Sequence, residues 1–222
     1  MGQHPMIDPS GAELHAGAAL ACLDAIDRVA GEQDAARAGS RLTGITVLSD
    51  LLQADGPIGR IAVRHLHASR PVRAILFDKS ATTNWALGWH QDRTIAVAKR
   101  IHVDGFGPWT VKQGLLHVEP PFAVIESMVT LRVHLDPVDA DNAPLLVAPG
   151  SHRLGRIEEA RIGGIVKHCG TITCLADRGD VWAYATPILH ASARAERPRR
   201  RRVLQIDYAA GALPGRLEWL GV

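Results

Sequence analysis

Trp89-His90-Gln91-Asp92 is the stretch on which the reading of this chain turns. Its two ligand-type side chains, His90 and Asp92, stand two residues apart, so on an extended strand they project to one side. Leu189-His190-Ala191-Ser192, 100 residues downstream, offers a second histidine and is followed by an arginine-rich run. Two histidines and one carboxylate with open coordination positions form the facial triad of non-haem Fe(II) sites.

The pattern alone is weak, because the chain repeats it. His102-Val103-Asp104 and His134-Leu135-Asp136 share it, and His117-Val118-Glu119 nearly does. Context separates them. His102 and His117 flank a segment rich in Gly and Pro, with no strand expected to fix their geometry. Asp136 precedes Pro137 at a turn, where a capping role suffices. His90-Gln91-Asp92 lies between aromatic residues and a β-branched run, at the end of an expected strand. A lone histidine after an apolar segment is usually a packing residue; what lifts His190 is Ser192 and an arginine strand eleven residues on.

Outward from the motif, the chain divides by texture. Ser10 and Glu13 have capping-box spacing, and apolar residues from Leu14 to Val29 recur at helical intervals, so a helix is expected to about Ala30 and to end at Gly31. Residues 32–55 carry no clear period. Asp55-Gly56-Pro57 reads as a helix start, with Ile58, Ile61, Ala62 and Leu66 as its buried face. Strands are expected at Val72 to Phe77, Trp85 to Trp89, Thr94 to Val97, Val124 to Leu135, Leu145 to Ala148, Thr171 to Leu175, Asp180 to Tyr184 and Val203 to Tyr208. Residues 103–116, with three glycines, Pro108 and Trp109, read as a long loop over a site. Helices followed by many short strands with Gly/Pro/Asp turns indicate a mainly β fold with flanking helices, a jelly roll. The expected organisation is one domain over 1–222, with a helical part at about 10–70 and a jelly-roll core at about 72–210.

Composition narrows the function classes. Hydrophobic residues make up 46% and charged residues 22% of the 222, which is ordinary for a globular protein. A net charge of +2 carries no nucleic-acid or membrane signal. No apolar run approaches the ~20 residues of a membrane span. The N-terminus lacks a charged-then-apolar signal plan, and three cysteines without Cys-x-x-Cys spacing fit a reducing compartment, so a cytoplasmic location is expected.

The run Arg197-Pro198-Arg199-Arg200-Arg201-Arg202 is short, lacks interleaved aromatic residues and reads as a solvated turn at Arg197, Arg199 and Arg200. It then enters a strand in which Arg201, Val203 and Gln205 share one face and Arg202, Leu204 and Ile206 the other. An inward arginine needs a carboxylate, because a buried unpaired guanidinium is costly. A dicarboxylate cosubstrate would supply one, held bidentately, with Ser192 as a further donor.

From Leu76 to Ala209 the sequence resembles the phytanoyl-CoA dioxygenase family of Fe(II)/2-oxoglutarate-dependent oxygenases, particularly its short bacterial members. The resemblance rests on Phe77-Asp78-Lys79 with Asn84-Trp85 and Trp89-His90-Gln91-Asp92. Gly105-Phe106-Gly107-Pro108-Trp109, Leu131 to Asp136, Pro149-Gly150-Ser151-His152-Arg153, and Leu189-His190-Ala191-Ser192 with Arg201 to Leu204 complete it. It implies a double-stranded β-helix barrel, cupin-like, with His90, Asp92 and His190 as iron ligands. It implies Arg201 and Ser192 as partners of the distal carboxylate of 2-oxoglutarate, with Lys79 near the same pocket. Phe77 stands where an Asn is common, and Val129 where an aromatic residue is sometimes found. Trp85, Trp109 and Arg132 are candidates for the substrate side.

The activity so implied consumes O2 and 2-oxoglutarate, releases succinate and CO2, and hydroxylates or otherwise oxidises a small molecule, free, acyl-CoA-linked or carrier-bound. Related halogenases replace the carboxylate ligand with a small residue, so Asp92 favours hydroxylation. Two rivals stand beside this reading. A cupin-like metal enzyme without 2-oxoglutarate would cluster more histidines and leave Arg201 without purpose. A non-catalytic small-molecule-binding jelly roll would not need an intact triad.

Overall fold

A computed structural model describes residues 4–222. Its strands assemble into three antiparallel sheets. The largest has the order β1 (Ala12–His15), β11 (Val181–Ala185), β8 (Met128–His134), β13 (Arg201–Ala209), β3 (Arg70–Lys79) and β2 (Gly39–Leu42). The second runs β10 (Ile172–Cys174), β9 (Leu145–Val147), β12 (His190–Ser192) and β4 (Leu87–His90). The third is small: β5 (Ile95–Ala96), β7 (Leu115–Val118) and β6 (Trp109–Lys112). The mainly β, helix-flanked jelly-roll arrangement matches the sequence expectation, although the sheets are not hydrogen-bonded into a closed barrel.

Period-two alternation explains how the large sheet is buried on both faces. Val129, Leu131 and Val133 of β8, Leu204, Ile206 and Tyr208 of β13, and Ala74 and Leu76 of β3 form one apolar cluster with the helices α1 (Leu23–Gly31), α2 (Thr46–Leu52) and α3 (Gly59–His65). The intervening residues, Arg73, Ile75, Phe77, Arg132, Arg201 and Gln205, line a cavity that the second sheet shares. The register sets cross-strand partners there: Arg201 lies opposite Lys79, and Gln205 opposite both Ile75 and Arg132. Tyr184 of β11 packs with Leu145, Val147 and Cys174 and joins the two sheets beside that cavity.

The helix expected from Ser10 begins only at Leu23. Ala12 to His15 instead pair with Tyr184 to Val181 as an edge strand, and Gly17 turns the chain at φ +62°. Sheet pairing overrides the helical propensity of that Ala-rich segment. The loop expected over 103–116 contains a hairpin, β6 to β7, whose two central residues, Gln113 and Gly114, both have positive φ. That is the geometry of a tight turn matched to strand twist. Val124 belongs to α4 (Phe122–Glu126), and the strand starts at Met128. A helix that the sequence reading did not include, α5 (Glu159–Cys169), covers β4 through Trp89, Ile162 and Leu189. Arg197, Arg199 and Arg200 are not simply solvated, because each meets an aspartate: Asp141, Asp139 and Asp78 respectively.

Among the described residues, no helix is long and apolar enough to cross a membrane. The three cysteines are free thiols.

Candidate metal centre and anion pocket

His90 ends β4 and His190 begins β12, and the antiparallel register sets them directly opposite each other. Their ring centroids are 4.3 Å apart. Asp92 follows two residues beyond His90, and one donor atom from each of the three lies within 4.8 Å of the others. Both imidazoles are fixed by their own strands. His90 Nδ1 faces the Gly88 carbonyl at 2.8 Å, and His190 Nδ1 faces the Ile188 carbonyl at 3.0 Å. A carbonyl only accepts, so each Nδ1 carries the proton and each Nε2 presents a lone pair. Asp92 Oδ2 is buried with no hydrogen-bond partner. Two free nitrogen lone pairs and an orphaned carboxylate oxygen are what a divalent metal would satisfy.

Gln91, the residue between the ligands, points the other way. Its Nε2 donates to the carbonyls of Pro187 (2.7 Å) and Gly155 (3.0 Å), and its Oε1 accepts from Ile157 N at 2.8 Å. One buried amide thus ties the first half of the motif to the segment leading into His190.

Behind Asp92 stands Arg73. Its Nε donates to Asp207 Oδ2, its Nη2 lies 3.7 Å from Asp92 Oδ2, and its Nη1 donates to the Thr94 carbonyl at 3.3 Å. Thr130 completes this layer by donating to Asp207 Oδ1 at 3.0 Å. Burial by itself would raise the pKa of Asp92, but Arg73 and the two histidines hold it below the ordinary range. Asp207 is raised, chiefly by burial, against the pull of Arg73. Sequence reasoning missed Arg73 and Asp207. The only signal was charge at inward positions of two strands otherwise apolar.

The remaining sequence candidates separate cleanly. Arg201, 2% exposed, lines the cavity. Its Nη1 donates to the Ala143 carbonyl, its Nε has no partner, and among the described residues no carboxylate reaches it. Ser192 also donates to Ala143 O, at 3.1 Å. Lys79, 3% exposed, lies just behind the lining and reaches Ser192 Oγ at 3.2 Å and the Trp85 carbonyl at 2.7 Å. Burial, then Arg201 and Arg132, pull its pKa down to about 7; burial and Arg132 pull that of Arg201 down to about 9. This end of the cavity therefore holds cations without an anion, which fits a carboxylate ligand.

Arg132 and Trp85 line the cavity; Arg132 donates to Gln205 at 2.8 Å and lies over Phe77. Trp109 does not line it. Its ring packs in a satellite core with Phe106 and lies under Arg100. Phe77 faces the cavity, whereas Val129 packs on the helix side. The rival motifs are placed elsewhere. His102 is exposed beside Asp104, His134 is buried on β8, and Asp136 binds Arg202. His117, contrary to expectation, is held on a strand, β7.

Glu13, His15 and His65 form a second group of three donors. Its two imidazoles satisfy each other, with Nε2 atoms 2.8 Å apart, so a hydrogen bond joining β1 to α3 accounts for it.

The sequence itself defines the class, a non-haem metal oxygenase of the 2-oxoglutarate-dependent kind. Residues 16–203 match the family model Phytanoyl-CoA dioxygenase (PhyH), and the chain belongs to that family. Among solved structures, EctD from S. alaskensis with bound Fe superposes with a TM-score of 0.65 at 16% identity, covering 97% of this chain and 78% of that one. HygX from Streptomyces hygroscopicus with nickel and 2-oxoglutarate bound gives 0.62 at 14%, covering 91% and 84%. The non-heme alpha ketoglutarate dependent epimerase SnoN from nogalamycin biosynthesis gives 0.62 at 14%, covering 92% and 78%. At such identities the likeness concerns the fold. No curated protein matches the sequence.

Proposed function

We propose that this chain oxidises a small-molecule substrate, hydroxylation being the reaction, with His90, Asp92 and His190 holding Fe(II). The distal carboxylate of 2-oxoglutarate meets Arg201, assisted by Ser192 and Lys79. The observation that carries the reading is the pairing of two deficits in one cavity. One is a donor set with free lone pairs; the other is a buried arginine without a carboxylate.

Each residue then has a defined task. The i−2 carbonyls keep both histidines in the tautomer that can coordinate. Arg73 keeps Asp92 ionised and oriented toward the histidines. Arg201 fixes the cosubstrate by its planar fork, which Lys could not reproduce. Asp92 would take the place that related halogenases leave open for a halide, so hydroxylation is favoured over halogenation. The bound iron and cosubstrate supply the oxidising chemistry, at the cost of one 2-oxoglutarate and one O2.

The test is turnover. Aerobic incubation with Fe(II) and 2-oxoglutarate should yield succinate, and a substrate found in a metabolite pool should gain one oxygen atom by mass spectrometry. His190→Ala should abolish both. A product of unchanged mass would point to epimerisation, and wild-type protein forming no succinate with any pool would remove the proposal.

A further inference from the structure

The cavity is more cationic than a metal and its cosubstrate require. Besides Arg132 and Arg201, Arg41 and Lys112 line it, in the same cavity as His90 and Asp92. Arg41 and Lys112 are half-buried where Arg132 and Arg201 are buried. They come from different sheets and are fixed together by the hairpin tip. Gln113 Nε2 donates to the Gly39 carbonyl at 2.7 Å, and its Oε1 accepts from Arg41 N at 3.1 Å.

Neither cation is paired. Among the described residues no carboxylate lies within ion-pair reach of Arg41 or Lys112, and the buried Nε of Arg41 has no partner. Lys112 Nζ donates to Thr94 Oγ1 at 3.2 Å. The two acids nearby, Asp92 and Asp207, already face Arg73. A third polar group shares the face. Lys112 pairs with Leu115 and Thr110 with His117, which puts His117 on the side of Lys112. His117 is fully buried; its Nδ1 faces the Leu115 carbonyl and its Nε2 has no partner. Burial, and after it the nearby charge of Arg73, depress the proton affinity of Arg41, Lys112 and His117 alike; Arg41 adds to this at Lys112 and His117. Like charges held this way persist where an anion relieves them.

We propose that the substrate carries an oxyanion, a carboxylate or a phosphate ester, and that Arg41 and Lys112 bind it within this cavity. The inference rests on the metal and cosubstrate assignment above, which leaves these two cations without another role.

The test uses three probes with one aromatic body: phenylacetate, phenyl phosphate and phenylacetamide. Each is titrated at constant ionic strength into anaerobic protein carrying Fe(II) and 2-oxoglutarate, read by the visible band of that complex and by calorimetry. An anion should bind and the amide should not; the tighter anion identifies the source. Arg41→Ala and Lys112→Met should each weaken it by about tenfold or more, the worth of a charge-assisted hydrogen bond, and Arg41→Lys should recover part of the loss. Affinity for 2-oxoglutarate should stay within about twofold in these variants, as for independent sites. Equal binding of the amide, no binding of either anion, or unchanged anion affinity in both variants overturns the inference. So does an equal loss for 2-oxoglutarate, which would move both cations to the cosubstrate's site. Absence of the band in wild type is failure of the underlying assignment instead, and calorimetry of the anions then still decides the role of Arg41 and Lys112.

Discussion

At the scale of single residues, the site is a set of charges that the chain leaves incomplete. Arg201 donates to one backbone carbonyl and to no acid. With Arg201 holding the distal carboxylate as proposed, Arg201→Ala should raise KM for 2-oxoglutarate by about tenfold or more while changing kcat less, since a bidentate charge-assisted contact would be lost. Lys79 adds a pH dependence. Its pKa is held down at about 7, so it is charged below that pH and neutral above it. Cosubstrate binding, measured by titration, should therefore weaken as pH rises from about 6.5 to 8.5, and Lys79→Met should flatten that slope. Arg73 acts through Asp92. Arg73→Met should lower iron affinity by about tenfold, as loss of an outer-layer partner does, and Arg73→Lys should restore part of it. In the sequence, ligand types at strand spacing pointed to His90, Asp92 and His190, and the family resemblance chose Arg201 where alternation alone left Arg201 and Arg202 on opposite faces. Arg41 and Lys112 left no pattern, and Arg73 only a charge on an otherwise apolar strand. Their role depends on which strands become neighbours, and a charged residue on a strand looks the same whether it faces water or a cavity.

At the scale of elements, the motif works because its middle residue braces what its ends hold. Gln91 satisfies two carbonyls and one amide N–H from segments far apart in the chain. Gln91→Ala would leave these buried groups unpaired and should lower stability by about 2–4 kcal/mol in urea unfolding, with a loss of metal affinity alongside. The core strands β3, β8, β11 and β13 were legible because apolar and polar residues alternate along them or run continuously through a doubly buried sheet. Short elements were not. The β1 segment has helical apolar spacing and becomes a strand only because the edge of β11 is available to it. The β6–β7 hairpin hides behind a composition of glycine and proline, its turn carried by a positive-φ Gln113 in place of the usual Asn or Asp. In α5, consecutive glycines at Gly163 and Gly164 weaken the helical signal.

At the scale of the whole molecule, one twisted sheet serves two purposes. Its outer face is an apolar seat for helices, and its inner face is the polar wall of a reaction cavity. The two should separate under mutation. Leu131→Ala, on the outer face, should cost about 2–5 kcal/mol of stability by cavity formation yet leave metal stoichiometry and cosubstrate affinity unchanged in the folded fraction. On the proposed reading, this wall and the second sheet together hold iron and 2-oxoglutarate. This is tested most directly by anaerobic titration of the Fe(II)-loaded protein with 2-oxoglutarate while following the visible charge-transfer absorption. The expected result is a band that saturates at a single equivalent per iron, disappears in Asp92→Ala, and needs more 2-oxoglutarate in Arg201→Ala. Wild-type protein that takes up iron but shows no band, or a band unchanged in both variants, would contradict it.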